Sequence, residues 1–517
     1  MTMNKQLSWL IAGTFIVKCI LAMFTELNND EVYYWTYAQH LQWNYFDHPP
    51  MIALLLRLFT FNLSFQHEFF LRLGPMICAI ISTHLVYLIG KRLKDEMTGT
   101  IAAMLFIASP YDNVIAGLLV IPDAPMLMFW LWSVWLMLRI SGSHNSRKIK
   151  QRLLLLGVAI GCCISSKVHG IFLWAGFLTY IVLCQRSLLR NPFLYYALFI
   201  TAIFIIPVFY WNLSNHFISY TYHSSRVSFF STVHWDGLLR ETGGEIIYNN
   251  PVSVTLMVMM LLSLAKGPSF VPILKRRLLL LVALPLTGTV IFLSIFKDTL
   301  PHWSGPAYAT LLPLTAAWIR SKQQNITGYS IPSPVKWALG ITIVLLLMAV
   351  PAVKWWPWRM GNSQWQELGS SDVTLDMNGW RKFGTQFDSL YNSDLKTANI
   401  RNNPVLVADY WFPAAHLDYY VARPAGIRFM AIGGLTAIHH YAWLNVTRPT
   451  IQKDDDAYFV TVSNFYNPPS PQLTSQFEYV LPPVTITQYR IGTAVRNYFI
   501  YRLKRYKGTL PLSGVTN

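Results

Sequence analysis

The chain has 517 residues, 53% of them hydrophobic and 13% charged, with a net charge of +17. A soluble chain of this length carries about 25% charged residues, so the composition excludes an ordinary soluble enzyme and points to a membrane. The five cysteines lie in or beside apolar runs and offer no disulfide or zinc spacing. No nucleic-acid motif accompanies the basic excess.

Apolar runs recur until about Val353 and predict eleven membrane spans, near 8–24, 69–90, 98–119, 124–140, 153–166, 170–184, 194–212, 250–265, 279–296, 304–319 and 336–353. The first, Trp9 to Phe24, lacks a small-x-small cleavage site and reads as a retained helix rather than a signal peptide. The expected fold class is therefore an α-helical multi-pass membrane domain over 1–353, with a first outer loop at about 25–68. A small mixed α/β domain over 354–517 follows. In that domain Val405–Ala408, Ala457–Val462 and Tyr498–Tyr501 read as strands, and Gly379–Leu390 has helical spacing.

Orientation follows from the basic clusters Lys91-Arg92-Leu93-Lys94, Arg147 to Arg152, Arg186 with Arg190, Lys275-Arg276-Arg277, and Arg320 with Lys322. All fall in alternate loops, so the positive-inside rule puts them in the cytoplasm. The N-terminus is then inside and the C-terminal domain outside. Asp30, Glu31, Asp47, His48, Asp123, Lys167, His169, His216, His223, Arg226, Glu245, Lys297, Asp298 and His302 gather on the outer side. Asp95 and Glu96 are acidic exceptions on the inner side. Lys18, Arg57, Arg72, Lys167, Arg226, Arg240 and Lys297 stand apart from the inner clusters, and such cations need a partner or a task.

The first outer loop is the richest segment. Asn29-Asp30-Glu31 opens an amphipathic helix predicted to end near Trp43, and Tyr45-Phe46-Asp47-His48-Pro49-Pro50 follows it. Acids at a helix start are favoured by its dipole, which leaves the second acidic cluster and the Pro pair to be explained. Pro122-Asp123-Ala124-Pro125 aims one carboxylate at the next outer turn, or caps a helix. Lys167, between two short apolar runs, suits a phosphate or snorkels to the interface. Trp211 to Arg226 and Lys297 to Trp303 complete the outer set. Walker, Rossmann and His-Glu-x-x-His patterns are missing, as is a nucleophile elbow.

Asp30-Glu31 with Tyr33-Tyr34-Trp35, then Tyr45 to Pro50, resembles the first-loop signature of the GT-C glycosyltransferases. The nearest branch is the bacterial one related to protein O-mannosyltransferases and lipid A aminoarabinose transferases. Pro122-Asp123-Ala124-Pro125, Ser166-Lys167, Trp211 to Arg226 and Pro301-His302-Trp303 match its patterns in order, and Asp376 to Trp380 is similar to an Asp…Gly-Trp element. The resemblance implies an inverting enzyme of the bacterial inner membrane. It would move a sugar from a polyprenyl-phosphate donor to lipid A, another envelope glycan or a protein on the periplasmic face.

Under that resemblance Asp30 matches the first-loop acid taken as catalytic and Asp123 a second functional acid; Glu31 or Asp123 would help Asp30 take the acceptor proton. Because the leaving phosphate gains negative charge, Lys167, Arg226, Lys297 and His302 are the candidates to hold it, and Asp47 with His48 would position the acceptor or hold a divalent metal. The aminoarabinose transferases carry Glu-Lys-Pro where this chain has Asp47-His48-Pro49, which leaves the donor sugar open. A single Asp-His pair falls short of a metal ligand set, and no other cofactor is expected. The rival reading is a transporter or flippase of a lipid-linked glycan, which calls for polar groups at mid-membrane.

Overall fold

The computed structural model describes residues 5–143, 145–224, 235–266, 270–323 and 330–508. The chain divides into two compact units, one of Met1–Ile20 with Gln42–Leu346 and one of Leu21–Leu41 with Leu347–Asn517.

The first unit is helical. Each of the eleven apolar segments overlaps a helix. Six helices among the described residues are long and apolar enough to cross a membrane: Leu7–Phe24, Glu68–Leu93, Asp123–Ser141, Pro192–Ser214, Ile273–Ser294 and Ser333–Trp355. A seventh span results if Trp235–Tyr248 and Pro251–Leu264, bent by 103° at their junction, act as one. Two of the other predicted spans fall short for physical reasons. The segment 98–119 breaks near Pro110 into the helix Glu96–Ile107 and a π turn at Tyr111–Ile115. Ser146–Ile164 carries Arg147, Lys148, Lys150 and Arg152 in its first turns.

Helices here pack through small residues. A Cβ on Gly157 would meet the Ala197 carbonyl at 2.4 Å, and one on Gly176 would meet the Leu281 carbonyl at 2.6 Å. Such contacts let two backbones approach closely. The core runs through Trp130, Leu131, Val134, Leu156, Ile160, Phe177, Val282 and Leu314. The two acidic exceptions are explained by this packing. Asp95 caps the helix Glu96–Ile107 through the Thr98 N–H at 2.7 Å and pairs with Arg320 at 3.1 Å. Glu96 pairs with Lys91.

The second unit holds a five-stranded sheet of β1 (Val405–Ala408), β2 (Arg428–Ala431), β3 (Ala457–Val462), β4 (Phe477–Arg490) and β5 (Thr493–Tyr506), in the order β2-β1-β3-β5-β4. β1 pairs parallel with β2 and β3, and β5 pairs antiparallel with β3 and β4. The buried runs of β1 and β3 make them the centre. Pro482-Pro483 argues against a strand, yet β4 takes them up through a register shift between Leu481 and Val484 at the sheet edge.

The segment Leu21–Leu41 joins this unit through specific bonds. Glu26 accepts the N–H groups of Trp380 and Arg381 at 2.8 and 3.2 Å, and so caps the helix Trp380–Lys396. The Leu27 N–H donates to Tyr420 Oη at 2.8 Å. His416 Nε2 bonds Asn29 Oδ1 at 2.9 Å while its ring stacks on Trp380 at 4.1 Å. The Asp376-to-Trp380 element singled out in the sequence is thus the node that receives residues 26–29. Gly379, at φ 91°, lets the chain turn there with the Gln488 side chain pressed against it.

Candidate functional site

In the first unit, the helix Asp123–Ser141 starts at Asp123 behind Pro122. Lys167 lies in the turn between Ser146–Ile164 and the short turn Val168–Gly170. These two turns bring the side chains together. Lys167 Nζ donates to Asp123 Oδ2 at 2.8 Å, and the two side chains are 3% and 2% exposed. Tyr111 Oη donates to Asp123 Oδ1 at 3.1 Å. Both carboxylate oxygens are therefore engaged, as a buried charge requires. Lys167 spends one of its three N–H donors on Asp123, with no other bond among the described residues.

Tyr111 reaches Asp123 because Gly305 has no side chain. A Cβ there would lie 2.2 Å from the Tyr111 ring. Gly305 opens the helix Gly305–Lys322, directly after His302, Trp303 and Ser304. His302 feels the charges of Lys167 and Asp123, and His169 those of Lys167, His48 and His302. Burial, reinforced by the Lys167 ammonium, pushes His302 down to about 4, so its ring is neutral at pH 7. His169 meets Trp303 edge-on at 5.9 Å.

The loop carrying His302 is held from the other side by the helix Trp235–Tyr248. Thr299 donates to Glu241 at 2.6 Å and Tyr308 donates to Glu245 at 3.0 Å. A Cβ on Gly244 would sit 2.3 Å from Pro301. Both glutamates are buried. Tyr111, Glu241 and Gly305 carry no motif that marks them. The one available signal is the four-residue spacing of Glu241 and Glu245, which puts both on one helix face.

The Pro49-Pro50 segment is tied to the same turns. The Met51 N–H donates to Ser165 O at 3.1 Å. Trp211 Nε1 donates to Gln42 Oε1 at 2.7 Å, and Ser219 bridges Asn44 and Tyr45 at 3.0 and 2.9 Å. Asp47 and His48, between these anchors, are half-buried.

The remaining predicted residues are placed as follows. Lys297 is half-buried in the turn after Ile273–Ser294, and its neighbour Asp298 pairs with Arg240. Arg226 lies outside the described residues. Asp30 and Glu31 belong to the second unit, in the first turn of the helix Asn29–Gln39, which ends four residues before Trp43 because His40 turns extended. Asp30 is exposed, while Glu31 is buried and closes a capping box with Asn28 at 2.9 and 3.0 Å. A helix start thus accounts for the buried acid. Among the described residues, no group of three His, Cys, Asp or Glu side chains is placed to hold a metal.

Residues 47–211 match the family model of the dolichyl-phosphate-mannose-protein mannosyltransferases. No curated protein matches the sequence. Among solved structures, ArnT from Cupriavidus metallidurans bound to undecaprenyl phosphate is similar with a TM-score of 0.62 at 12% identity, over 95% of this chain and 98% of that one. The same protein in its apo state gives 0.58 at 12% identity, over 96% and 98%. The segment 47–211 is thus similar to that mannosyltransferase family, and the chain shares its fold with these ArnT structures.

Proposed function

We propose that the protein transfers a sugar from a polyprenyl-phosphate donor to an envelope acceptor on the periplasmic face, with inversion at the anomeric carbon. The observation that carries this reading is the buried Asp123–Lys167 pair beside a neutral His302. The undecaprenyl phosphate in the similar ArnT structure supports the donor class.

In this mechanism the acceptor oxygen attacks the anomeric carbon and the bond from that carbon to the phosphate oxygen breaks. The acceptor proton passes to a carboxylate, and the polyprenyl phosphate leaves with its extra negative charge. Lys167 meets that charge with its two uncommitted N–H donors, in a site where burial strengthens the attraction. Asp123 holds the ammonium in place, and its own charge favours an oxocarbenium-like centre. Neutral His302 donates or accepts one hydrogen bond without adding charge. Lys297 and Arg226 are further cations for the phosphate, and Asp47 with His48 orients the acceptor. Asp30 takes the proton, a role given to it by the family resemblance. Glu31 is a supporting residue of the Asp30 helix.

The test is single-turnover release of polyprenyl phosphate by purified protein given a polyprenyl-phosphate sugar and an envelope extract. Asp123→Asn and Asp30→Asn should each slow release by at least about 100-fold. Donor movement across vesicles without any bond cleavage would instead support a flippase.

A further inference from the structure

The second unit contains a cavity of about 230 Å³ that the transfer reading does not use. It is lined by Trp35 and Gln39 of the helix Asn29–Gln39, by Asp418 and Arg423, by Arg428 of the edge strand β2, and by Arg448. Three guanidinium groups therefore face a single lining carboxylate.

The charges do not cancel. Arg448 pairs with Asp418 at 2.8 Å, and Tyr441 Oη also donates to Asp418 at 3.0 Å. Arg428 pairs with Asp455 at 2.9 Å. Arg423 has no carboxylate partner among the described residues. Its Nε donates to Tyr419 O at 3.3 Å and its guanidinium lies 4.4 Å from the centre of the Tyr419 ring.

The donor count gives the same answer. Arg423 keeps both terminal nitrogens unbonded within the described residues. Arg448 meets Asp418 as an ion pair through one nitrogen only, and that nitrogen makes no hydrogen bond. Arg428 Nε is buried without a partner. A planar fork with spare N–H groups matches the two oxygens of a carboxylate or phosphate. The stacking on Tyr419 fixes one such fork in advance, so little order is lost when an oxyanion arrives.

Size narrows the ligand. At ~30 Å³ per water the cavity has room for roughly seven waters, well beyond a bare phosphate. It is smaller than the ~300 Å³ at the low end of drug-sized pockets. Trp35 and Phe429 supply an apolar wall beside the cations. We propose that this cavity binds one sugar residue bearing a phosphate or carboxylate, its oxyanion held by Arg423 and Arg448. The ligand is a free anionic sugar or the headgroup of a glycolipid. The inference stands on the cavity alone and does not require the transfer reading.

The test uses the full chain in nanodiscs of neutral lipid, titrated calorimetrically with glucose 1-phosphate, glucuronate, glucose and inorganic phosphate. The two anionic sugars should bind, with glucose and phosphate at least tenfold weaker. Arg423→Gln, an exposed position, should weaken both anionic sugars about tenfold with an unchanged melting temperature. Asp123→Asn should leave binding intact, which separates this site from the transfer site. Competition by a phosphorylated glucosamine lipid built into the nanodiscs supports a glycolipid headgroup, and binding without such competition supports a free sugar. The proposal is overturned if neither anionic sugar binds, if glucose or phosphate binds equally well, or if Arg423→Gln binds like the parent.

Discussion

Lys167 Nζ and Asp123 Oδ2 lie 2.8 Å apart on two different turns, with both side chains almost wholly buried. Neither charge survives burial alone, because each loses its hydration and the other is its only opposite charge in the pair's hydrogen bonds. The pair therefore fixes the relative position of the two turns as well as their charge. Replacing one partner strands the other. Lys167→Met should destabilise the protein by about 3–5 kcal/mol, read as a fall in melting temperature. The double variant Lys167→Met/Asp123→Asn should recover a good part of that loss while remaining inactive in transfer. A double variant as unstable as the sum of the two singles would show that the pair is not coupled.

The approach of Tyr111 to Asp123 depends on Gly305, where a Cβ would lie 2.2 Å from the ring. Gly305→Ala should push the ring aside at a cost of about 1–3 kcal/mol and free one oxygen of Asp123. The expected result is a lower turnover with little change in donor affinity. Tyr111→Phe removes the hydroxyl without the clash and should lower turnover with a smaller change in melting temperature. Full activity in both variants would show that Tyr111 is only packing.

Much of this organisation is legible in the sequence. Hydropathy marks the long apolar helices of the first unit, because apolar runs need no partner to declare themselves, but it passes over Trp235–Tyr248. The sequence motifs single out Asp123, Lys167 and His302; the fold pairs the first two and sets His302 in the field of both charges. The ion pair itself is not legible, since Lys167 alone suits either a phosphate or an interface. Glu31 reads as a catalytic partner of Asp30 in the sequence, which does not show that one of its oxygens closes a capping box on the Asn28 N–H. β4 is hidden by Pro482-Pro483. Tyr111 and Gly305 escape notice because their value lies in contacts between segments far apart in the chain.

Glu26 caps the helix Trp380–Lys396 from a segment some 350 residues earlier. A side-chain cap is worth about 0.5–2 kcal/mol. Glu26→Ala should lower the melting temperature and raise amide exchange at Trp380 and Arg381, with exchange in β1 and β3 unaffected. Unaltered exchange at those two amides would show that the cap is dispensable.

Asp376 offers a test by pH. Burial pushes its carboxyl up to about 6, against a hydrogen bond from Asn29 that pulls the other way. The folded protein therefore holds this proton more tightly than the unfolded chain, whose carboxyl titrates near 3.8. The protonated side chain contributes stability fully below pH 4, and that contribution is lost as the pH rises through about 6. Asp376→Asn keeps a neutral side chain of the same shape at every pH. The variant should melt above the parent at pH 7, and the gap should close as the pH falls toward 4. A gap that stays constant across this range would mean that Asp376 does not titrate in the folded protein above its ordinary value.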